Sequence, residues 1–276
     1  MKILEQFICG KKGGQDASLS CEDGLVITPD FIAVIDGSTS KTASQIVPDM
    51  KNGRFCMLSV SKFIRNMPAD ISLNDFCYGV TEAIHQLYGQ QEDDARNHPV
   101  RRLCASAVIF SNHRKEIWMV GDCQCMVNGK RYDNGKPYEE RIAAKRSDLF
   151  PIMLDRHPDM VDCEGLVHDY ARDAVLPDLI AAMEGENSEY AVIDGFPIYR
   201  PGIRLISLNP EVVPAEVVLA SDGYPYLQPT LKASEESLTS LLQSDPYLID
   251  RFKATKGKMK GNTSFDDRAY IRFITE

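Results

Sequence analysis

Aspartates stand at the ends of four apolar segments, where a strand would bring a carboxylate to the rim of a sheet. Three segments run directly into an acid: FIAVIDG reaches Asp36, EIWMVGD ends at Asp122, and VVLASDG reaches Asp222. In the fourth the order is reversed, because Asp266 and Asp267 precede the apolar run RAYIRFI. Glycine follows Asp36 and Asp222, which lets the backbone turn sharply and approach a ligand closely. If these strands share a sheet, we expect the acids to meet at one edge.

A cluster of carboxylates needs an explanation because like charges repel one another. Two unit charges about 4 Å apart repel by about 4 kcal/mol at an effective dielectric constant near 20. Such acids must stay apart, share protons or bind cations, and oxygen ligands favour Mg²⁺ or Mn²⁺ over zinc or copper. Two of these ions, bridged by a carboxylate, activate water for attack on phosphorus. The alternative for each aspartate alone is a turn cap, since Asp-Gly is common after strands; the joint pattern favours a metal site.

The elements that would position these acids follow from hydrophobic periodicity. Short apolar runs separated by turn residues predict strands at Ile3–Cys9, Ala17–Cys21, Leu25–Thr28, Phe31–Ile35, Cys104–Phe110, Ile117–Val120, Gln124–Val127, Ile203–Leu208, Glu216–Ala220 and Arg268–Ile274. Apolar residues at three- and four-residue steps predict helices over 56–67, 73–87, 168–183, 233–242 and 246–252. Because strands and helices come in blocks rather than alternating, the pattern predicts a layered α+β fold. The chain lacks a linker-like segment and a long repeat, so we expect one domain over residues 1–276.

Four motifs in this chain resemble those of the metal-dependent protein phosphatases of type 2C. They are VIDGSTS at 34–40, VGDCQCMVNGK at 120–130, LASDGYPYL at 219–227 and GNTSFDDRAYIRF at 261–273. Their order and spacing agree with the family over almost the whole chain. The resemblance implies a four-layer αββα sandwich, with two central antiparallel sheets flanked by helices. It also implies hydrolysis of a phosphoserine or phosphothreonine in a protein, by a hydroxide that bridges two Mg²⁺ or Mn²⁺ ions.

The resemblance assigns roles at the first metal position by position. Asp36 matches the aspartate that bridges both ions, and Gly37 matches the glycine whose carbonyl binds one ion through water. Asp222 and Asp266 match the aspartates that complete the first metal site. Asp266 is preferred over Asp267 because a serine precedes it by two residues, as in the family's Ser-x-Asp pattern.

The remaining roles lie around this centre. Asp122 matches an acid that, together with Asp222, holds a weaker third ion. Asp16 follows a glutamine and resembles the acid of an early pair near the second metal. Lys11 stands where the family often has a phosphate-binding arginine, and Lys12 is an equal candidate for that position.

The chain departs from the family pattern in ways that leave a second hypothesis open. Lysine lacks the bidentate fork with which arginine binds a phosphate dianion. Ser38 stands where the family usually has histidine or methionine, and a histidine there would be the general acid for the leaving group. These changes favour an inactive binding or regulatory module, whereas the retained Asp36, Asp222 and Asp266 favour an active enzyme.

Two further segments admit more than one interpretation. The region from about 140 to 202 diverges most and falls where the family has a variable flap that shapes substrate choice. Within it AVIDG recurs at 191–195, and bulky Phe-Pro follows, so we interpret Asp194 as a turn residue rather than a metal ligand. VIDGSTSK also resembles the phosphate-gripping loop of actin-like sugar and acetate kinases, but that hypothesis leaves the motifs at Asp122, Asp222 and Asp266 unexplained.

Composition excludes several classes of partner. Thirty-one lysines and arginines against 40 aspartates and glutamates give a net charge of −9, and no basic stripe is present, so we expect no nucleic-acid partner. The one lysine-dense stretch, 253–260, is interpreted as a solvated loop. No run reaches the roughly 18 apolar residues of a membrane span, and no secretion signal is visible, so we expect a cytoplasmic protein. Its eight cysteines are then buried thiols; Cys123 and Cys125 lack a second pair for zinc.

Overall fold

Two five-stranded antiparallel sheets form the centre of the structure, a computed structural model that describes residues 1–12, 20–39, 41–42, 44–209 and 214–276. The first sheet has the spatial order β1 (Lys2–Cys9), β12 (Arg268–Ile274), β11 (Glu216–Ala220), β6 (Gln124–Val127) and β7 (Lys130–Tyr132). The second has the order β10 (Ile203–Ser207), β5 (Glu116–Val120), β4 (Ala105–Ser111), β3 (Phe31–Gly37) and β2 (Asp23–Ile27). A separate small hairpin joins β8 (Val161–Asp162) to β9 (Gly165–Leu166).

The inner faces of the two sheets pack against each other. Ile32 and Val34 of β3 belong to the buried cluster between the sheets, together with Leu219 of β11 and Ile271 of β12. The alternate residues of β3 point the other way, which explains why this strand is an unbroken apolar run: both of its faces are buried. Cys123 and Cys125 also lie in this inter-sheet core, and all eight cysteines are free thiols.

Helices cover the outer faces of both sheets. Helices α1 (Asn52–Asn66) and α2 (Leu73–His85) pack on the second sheet, where Val60 and Phe76 meet Trp118 in one buried cluster. Helix α2 begins where the Ser72 hydroxyl accepts a hydrogen bond from the Asp75 amide at 3.1 Å. Helix α6 (Leu231–Ser244) covers the first sheet with its apolar face. The layers therefore follow the order αββα, which confirms the predicted four-layer sandwich.

The segment between β7 and β10 carries two helices that lie against each other. They are α4 (Glu139–Arg156) and α5 (Tyr170–Met183), and a shorter helix, α3 (Glu92–Asn97), lies earlier in the chain. Only α5 was predicted. Helix α4 escapes the periodicity test because Arg146, a charged residue, occupies a fully buried position on its inner face, and Pro151 lies within it. Short 3₁₀ turns complete the described structure at Gly89–Gln91, Pro99–Arg101, Pro158–Met160 and Arg200–Gly202.

One predicted helix is wrong, one predicted strand falls largely outside the described residues, and the pairing of the first strand is a further finding. No helix forms over Pro246–Phe252, because Leu248 has a positive φ of 53° and the Asp245 carboxylate accepts backbone hydrogen bonds from residues 249–252 instead. The segment Ala17–Cys21 is not seen as a strand: residues 17–19 lie outside the described residues, and Cys21 is in an irregular segment. The first predicted strand does form, but it pairs with β12 rather than with its neighbour in sequence.

No helix within the described ranges is long and apolar enough to cross a lipid bilayer.

Candidate metal centre

One cleft at the end of the two sheets is lined by four of the aspartates that the sequence analysis selected: Asp36, Asp122, Asp222 and Asp266. Asp36 is the penultimate residue of β3, while Asp122 and Asp222 each lie two residues beyond the end of a strand, β5 and β11. Asp266 lies two residues before β12. Since these strands come from both sheets, the face-to-face packing of the sheets is what brings the four acids together.

Two of these acids have no cationic partner in the part of the chain that the structure describes. Within the described ranges, neither the Asp36 carboxylate nor the Asp222 carboxylate accepts a hydrogen bond or forms an ion pair. Burial raises the pKa of both carboxyl groups well above the usual range, and the charges of neighbouring acids raise it further. One carboxylate oxygen each of Asp122, Glu139 and Asp222 lies within 4.8 Å of the others, which is close enough to hold a single cation.

The residues of the cleft therefore fit a divalent cation. Carboxylates that are buried, mutually repelling and unpaired are the hard oxygen ligands that Mg²⁺ and Mn²⁺ prefer. A bound ion would hold Asp36 and Asp222 in their ionised forms and offset their repulsion.

The other two aspartates are already paired with lysines. Lys136 Nζ lies 2.5 Å from Asp122 Oδ2, and the Ser106 hydroxyl donates to the other carboxylate oxygen of Asp122. Lys11 Nζ lies 3.1 Å from Asp266 Oδ1, and Lys256 pairs with the second oxygen of Asp266. Although burial acts to raise both pKa values, these ammonium groups hold the pKa of each carboxyl below its usual value.

Lys136 and Lys256 escaped the sequence analysis. Lys136 carries no signal, because nothing in its surroundings in the chain marks a lysine that becomes buried against Asp122. Lys256 belongs to the lysine-dense stretch that was interpreted as a solvated loop, and for this residue the interpretation is wrong. The stretch brings the Lys256 ammonium into the cleft, 29% exposed and paired with Asp266.

The neighbouring aspartates 266 and 267 serve different purposes. Asp267 Oδ1 accepts a hydrogen bond from the Lys11 amide and its Oδ2 accepts one from the Glu22 amide, both at 2.8 Å. Asp267 thus ties together three segments of backbone. Asp266 instead directs its carboxylate to the two lysine side chains of the cleft.

Gly37 stands where no other residue fits. Its amide donates a hydrogen bond to the Glu22 carbonyl at 3.0 Å, and a Cβ atom added to it would lie 2.2 Å from the Gly53 carbonyl oxygen. The end of β3 therefore lies directly on the first turn of α1, and the glycine permits that approach.

Four acids of the cleft were missed by the sequence analysis: Glu22, Asp23, Glu139 and Glu186. Asp23 lies opposite Asp36 in the β2–β3 pairing, and its Oδ2 atom is buried without a hydrogen-bond partner among the described residues. The same Asp-Gly signal that selected Asp36 stands at Asp23 and could have found it. Glu139 and Glu186 carry no such signal, because the segment between β7 and β10 was not resolved into its elements.

Two further aspartates were considered in the sequence analysis, Asp16 as a metal ligand and Asp194 as a turn residue. Asp16 is outside the described residues. Asp194 is buried away from the cleft, where Arg102 Nη1 pairs with its Oδ2 at 2.8 Å and the Phe196 amide donates to its Oδ1 at 2.8 Å. These are the contacts of a turn residue with a structural ion pair.

Comparison with known proteins finds similar structures but no similar sequences. No protein-family model matches the chain, and no curated protein matches it. Among solved structures, it is similar to the catalytic domain of the serine/threonine phosphatase PstP in complex with two manganese ions, at 11% identity, TM-score 0.47 and full coverage of both chains. It is also similar to the serine/threonine phosphatase Stp1 from Staphylococcus aureus, at 12% identity and TM-score 0.43, covering 100% of this chain and 96% of the other.

A third similar structure is RsbX in complex with magnesium, at 10% identity and TM-score 0.41, covering 100% of this chain and 99% of the other. At such low identities and TM-scores, these likenesses carry no information about which residues act or on which substrate.

Proposed function

We propose that this chain is a metal-dependent phosphomonoester hydrolase, a divergent serine/threonine phosphatase of type 2C that acts as one domain over residues 1–276. The observation that carries the proposal is the state of Asp36 and Asp222. Both carboxylates lie in the cleft without a cationic partner among the described residues, and their pKa values are raised by burial and by adjacent acids. Unpaired acids that raise the energy of the fold are expected where they bind a cation in the working protein.

The proposed ligand set is the one that the resemblance to the type 2C phosphatases implies. Asp36, Asp222 and Asp266 would hold the first ion, Asp36 would contribute to the second ion as well, and the Gly37 carbonyl would bind one of the two ions through water. Asp16 is proposed as a ligand of the second ion, and Asp122 as a ligand of a third. Two such ions, Mg²⁺ or Mn²⁺, supply Lewis acidity and activate a water molecule for attack on phosphorus.

Lys11 and Lys256 would hold the phosphoryl group. Their ammonium groups reach the two oxygens of one carboxylate, Asp266, from either side. An arginine side chain can place two N–H donors against the two oxygens of one anion. Here two lysines supply one donor each. We propose that they turn from Asp266 to the oxygens of the phosphate when substrate and metal are bound. In this proposal Lys11 and Lys256 together replace the phosphate-binding arginine that the family often has at the position of Lys11.

A binding module without turnover is the second candidate, and the lysines favour it. Lys136, Lys11 and Lys256 already neutralise Asp122 and Asp266, so these two acids can exist in the fold without a metal. Such a protein would still bind phosphorylated ligands through the same ammonium groups.

Hydrolysis of p-nitrophenyl phosphate with and without Mn²⁺ separates the two candidates. We expect activity that depends on Mn²⁺ and is lost in Asp222→Asn. Binding of Mn²⁺ is measured in parallel by titration calorimetry on both proteins. Tight Mn²⁺ binding by the wild type without any turnover would overturn the enzyme proposal in favour of the binding module.

A further inference from the structure

Two further cations on the wall of the cleft differ from the lysines described above in the groups that they contact. Lys41 lies in the loop that follows β3, and Arg172 lies in the first turn of α5. Both line the same cleft as Asp36 and Lys256, although they come from segments more than a hundred residues apart. The fold therefore places a lysine and an arginine next to the candidate phosphate site.

Neither of these side chains has an acidic partner within the described ranges. Lys41 Nζ donates to the Thr39 carbonyl at 3.0 Å, and Arg172 Nη1 donates to the Thr255 carbonyl at 2.6 Å. Both acceptors are neutral and leave several N–H groups free. By contrast, Lys11, Lys136 and Lys256 all pair with aspartates.

The two acids near Arg172 in sequence are engaged elsewhere: Asp173, which follows it, lies 2.6 Å from His168 Nε2, and Asp169 has other partners. Asp169 forms an ion pair with the buried Arg146 at 2.7 Å and also accepts hydrogen bonds from the backbone amides of Arg172 and Gly257. These contacts fix the start of α5 against the segment that carries Lys256. The relative position of Arg172 and Lys256 is thus built into the fold before any ligand binds.

The two cations are held close to like charges. Burial and the positive charges of Lys256 and Arg172 lower the pKa of Lys41 to about 8. Burial also lowers the pKa of Arg172. The charges of Asp266 and Glu22 only partly offset this effect at Lys41. Half-buried cations that crowd one another without a direct ion-pair partner are costly, and an anion in the cleft would offset that cost.

We propose that Lys41 and Arg172 form a second anion-binding subsite, which takes a carboxylate or a second phosphate of the substrate near the phosphoryl group to be removed. This inference rests on the proposed function. An arginine and a lysine together suit a planar carboxylate or a phosphate, since the guanidinium binds two oxygens at once and the ammonium binds one of the same two on a carboxylate or a third on a phosphate. A metal ion is disfavoured there because the wall is positively charged. The substrate would then be a phosphopeptide with an acidic or phosphorylated neighbour.

Three phosphoserine peptides of equal length test the subsite: one with alanines on both sides of the phosphoserine, one with glutamates, and one with a second phosphoserine. Hydrogen bonds to charged groups predict that the wild type prefers the acidic peptides by about 10-fold or more in kcat/KM. We expect Lys41→Gln and Arg172→Gln each to reduce that ratio towards one. Lys258→Gln is the matched control, because Lys258 lies two residues beyond Lys256 but lines a different cavity. It should leave the ratio unchanged, and the preferred acidic peptide identifies carboxylate or phosphate as the ligand.

Binding of the same peptides, labelled with a fluorophore and followed by anisotropy, needs no turnover. Equal affinities and equal kcat/KM values for all three peptides would overturn the subsite and leave the phosphatase proposal intact. Tighter binding of the acidic peptides that depends on Lys41 and Arg172, without hydrolysis of any peptide, would support the subsite and overturn the enzyme proposal instead. A preference for the acidic peptides that persists in both Lys41→Gln and Arg172→Gln would also overturn the subsite.

Discussion

Asp222→Asn should make the metal-free protein more stable. The Asp222 carboxylate is half-buried beside other acids, and its partial burial, followed by the charges of Asp36 and Asp266, raises its pKa well above the usual value. A carboxyl group whose pKa is raised by folding costs stability once it is ionised. An asparagine has almost the same shape and no charge, so the substitution removes the cost and also removes a candidate metal ligand.

The size of the effect follows from the distances. Carboxylate oxygens of Asp122, Glu139 and Asp222 lie within 4.8 Å of one another. At an effective dielectric constant near 20, each ionised neighbour at this distance repels Asp222 by about 3 kcal/mol. Lys136 offsets the charge of Asp122, and partial protonation relieves some of the remainder, so we expect a net gain of about 2 kcal/mol. In a chain of this length that corresponds to a rise in Tm of about 3–4 °C.

The assay is thermal and urea unfolding of both proteins in EDTA over a range of pH. Because the folded-state pKa is raised, the penalty is absent below the unfolded-state value near 3.9 and grows as the pH rises through the folded-state pKa. The two proteins should therefore have equal stability near pH 4, and the variant should be more stable at pH 7.5. Addition of Mn²⁺ should stabilise the wild type by about 2.7 kcal/mol at a hundred times its Kd, and the variant much less.

Asp267→Asn is the matched control, since Asp267 is also a buried aspartate of the same cleft. Its two oxygens accept hydrogen bonds from the amides of Lys11 and Glu22, so this substitution should destabilise the protein at pH 7.5. If Asp222→Asn destabilises the metal-free protein as Asp267→Asn does, the acids of the cleft do not repel one another, and the case for a cation site fails.

Three further substitutions test other parts of the structure. Lys256→Ala should raise KM for p-nitrophenyl phosphate about 10-fold or more, and a second change, Lys11→Arg, should restore much of the loss because it rebuilds a two-donor fork; no recovery would contradict the shared role. Gly37→Ala should lower Tm and abolish Mn²⁺ binding in calorimetry, since its Cβ atom has no space against α1; normal values for both would refute this packing. Arg146→Leu should reduce the free energy of unfolding in urea by about 3–5 kcal/mol, because it leaves Asp169 charged and buried without its partner; a change below about 1 kcal/mol would show that Arg146 and Asp169 are not buried as a pair.

Much of the layered fold could be predicted where periodicity is undisturbed. Helix α2 shows an apolar stripe that includes Phe76 and Val80, and both residues are buried against the second sheet. Helix α4 could not be predicted in this way, because its inner face carries Arg146, whose partners come from other elements. The inward position of Arg146 could be interpreted only once its ion-pair partner, Asp169, was known.

The candidate site divides along the same line. Asp36, Asp122, Asp222 and Asp266 each follow or precede an apolar strand, so their place at a strand end could be inferred from local pattern alone. Their assembly in one cleft depends on how the two sheets pack. Because each strand end lies at one of only two edges of its sheet, the number of possible arrangements is small. The expectation that these acids meet at one edge agrees with the structure, in which all four line one cleft.

The sequence by itself indicated the carboxylates at the ends of buried strands and a fold of strand and helix layers. Only the tertiary structure showed which lysine and arginine side chains line the cleft. Lys136, Lys256 and Arg172 come from loops and a helix whose positions depend on long-range contacts, such as the hold of Asp169 on Arg146 and on the Gly257 amide. A strand imposes a period of two on its residues and so leaves a local signal, whereas a lysine in an irregular segment acquires its role only from whichever charge the fold places beside it.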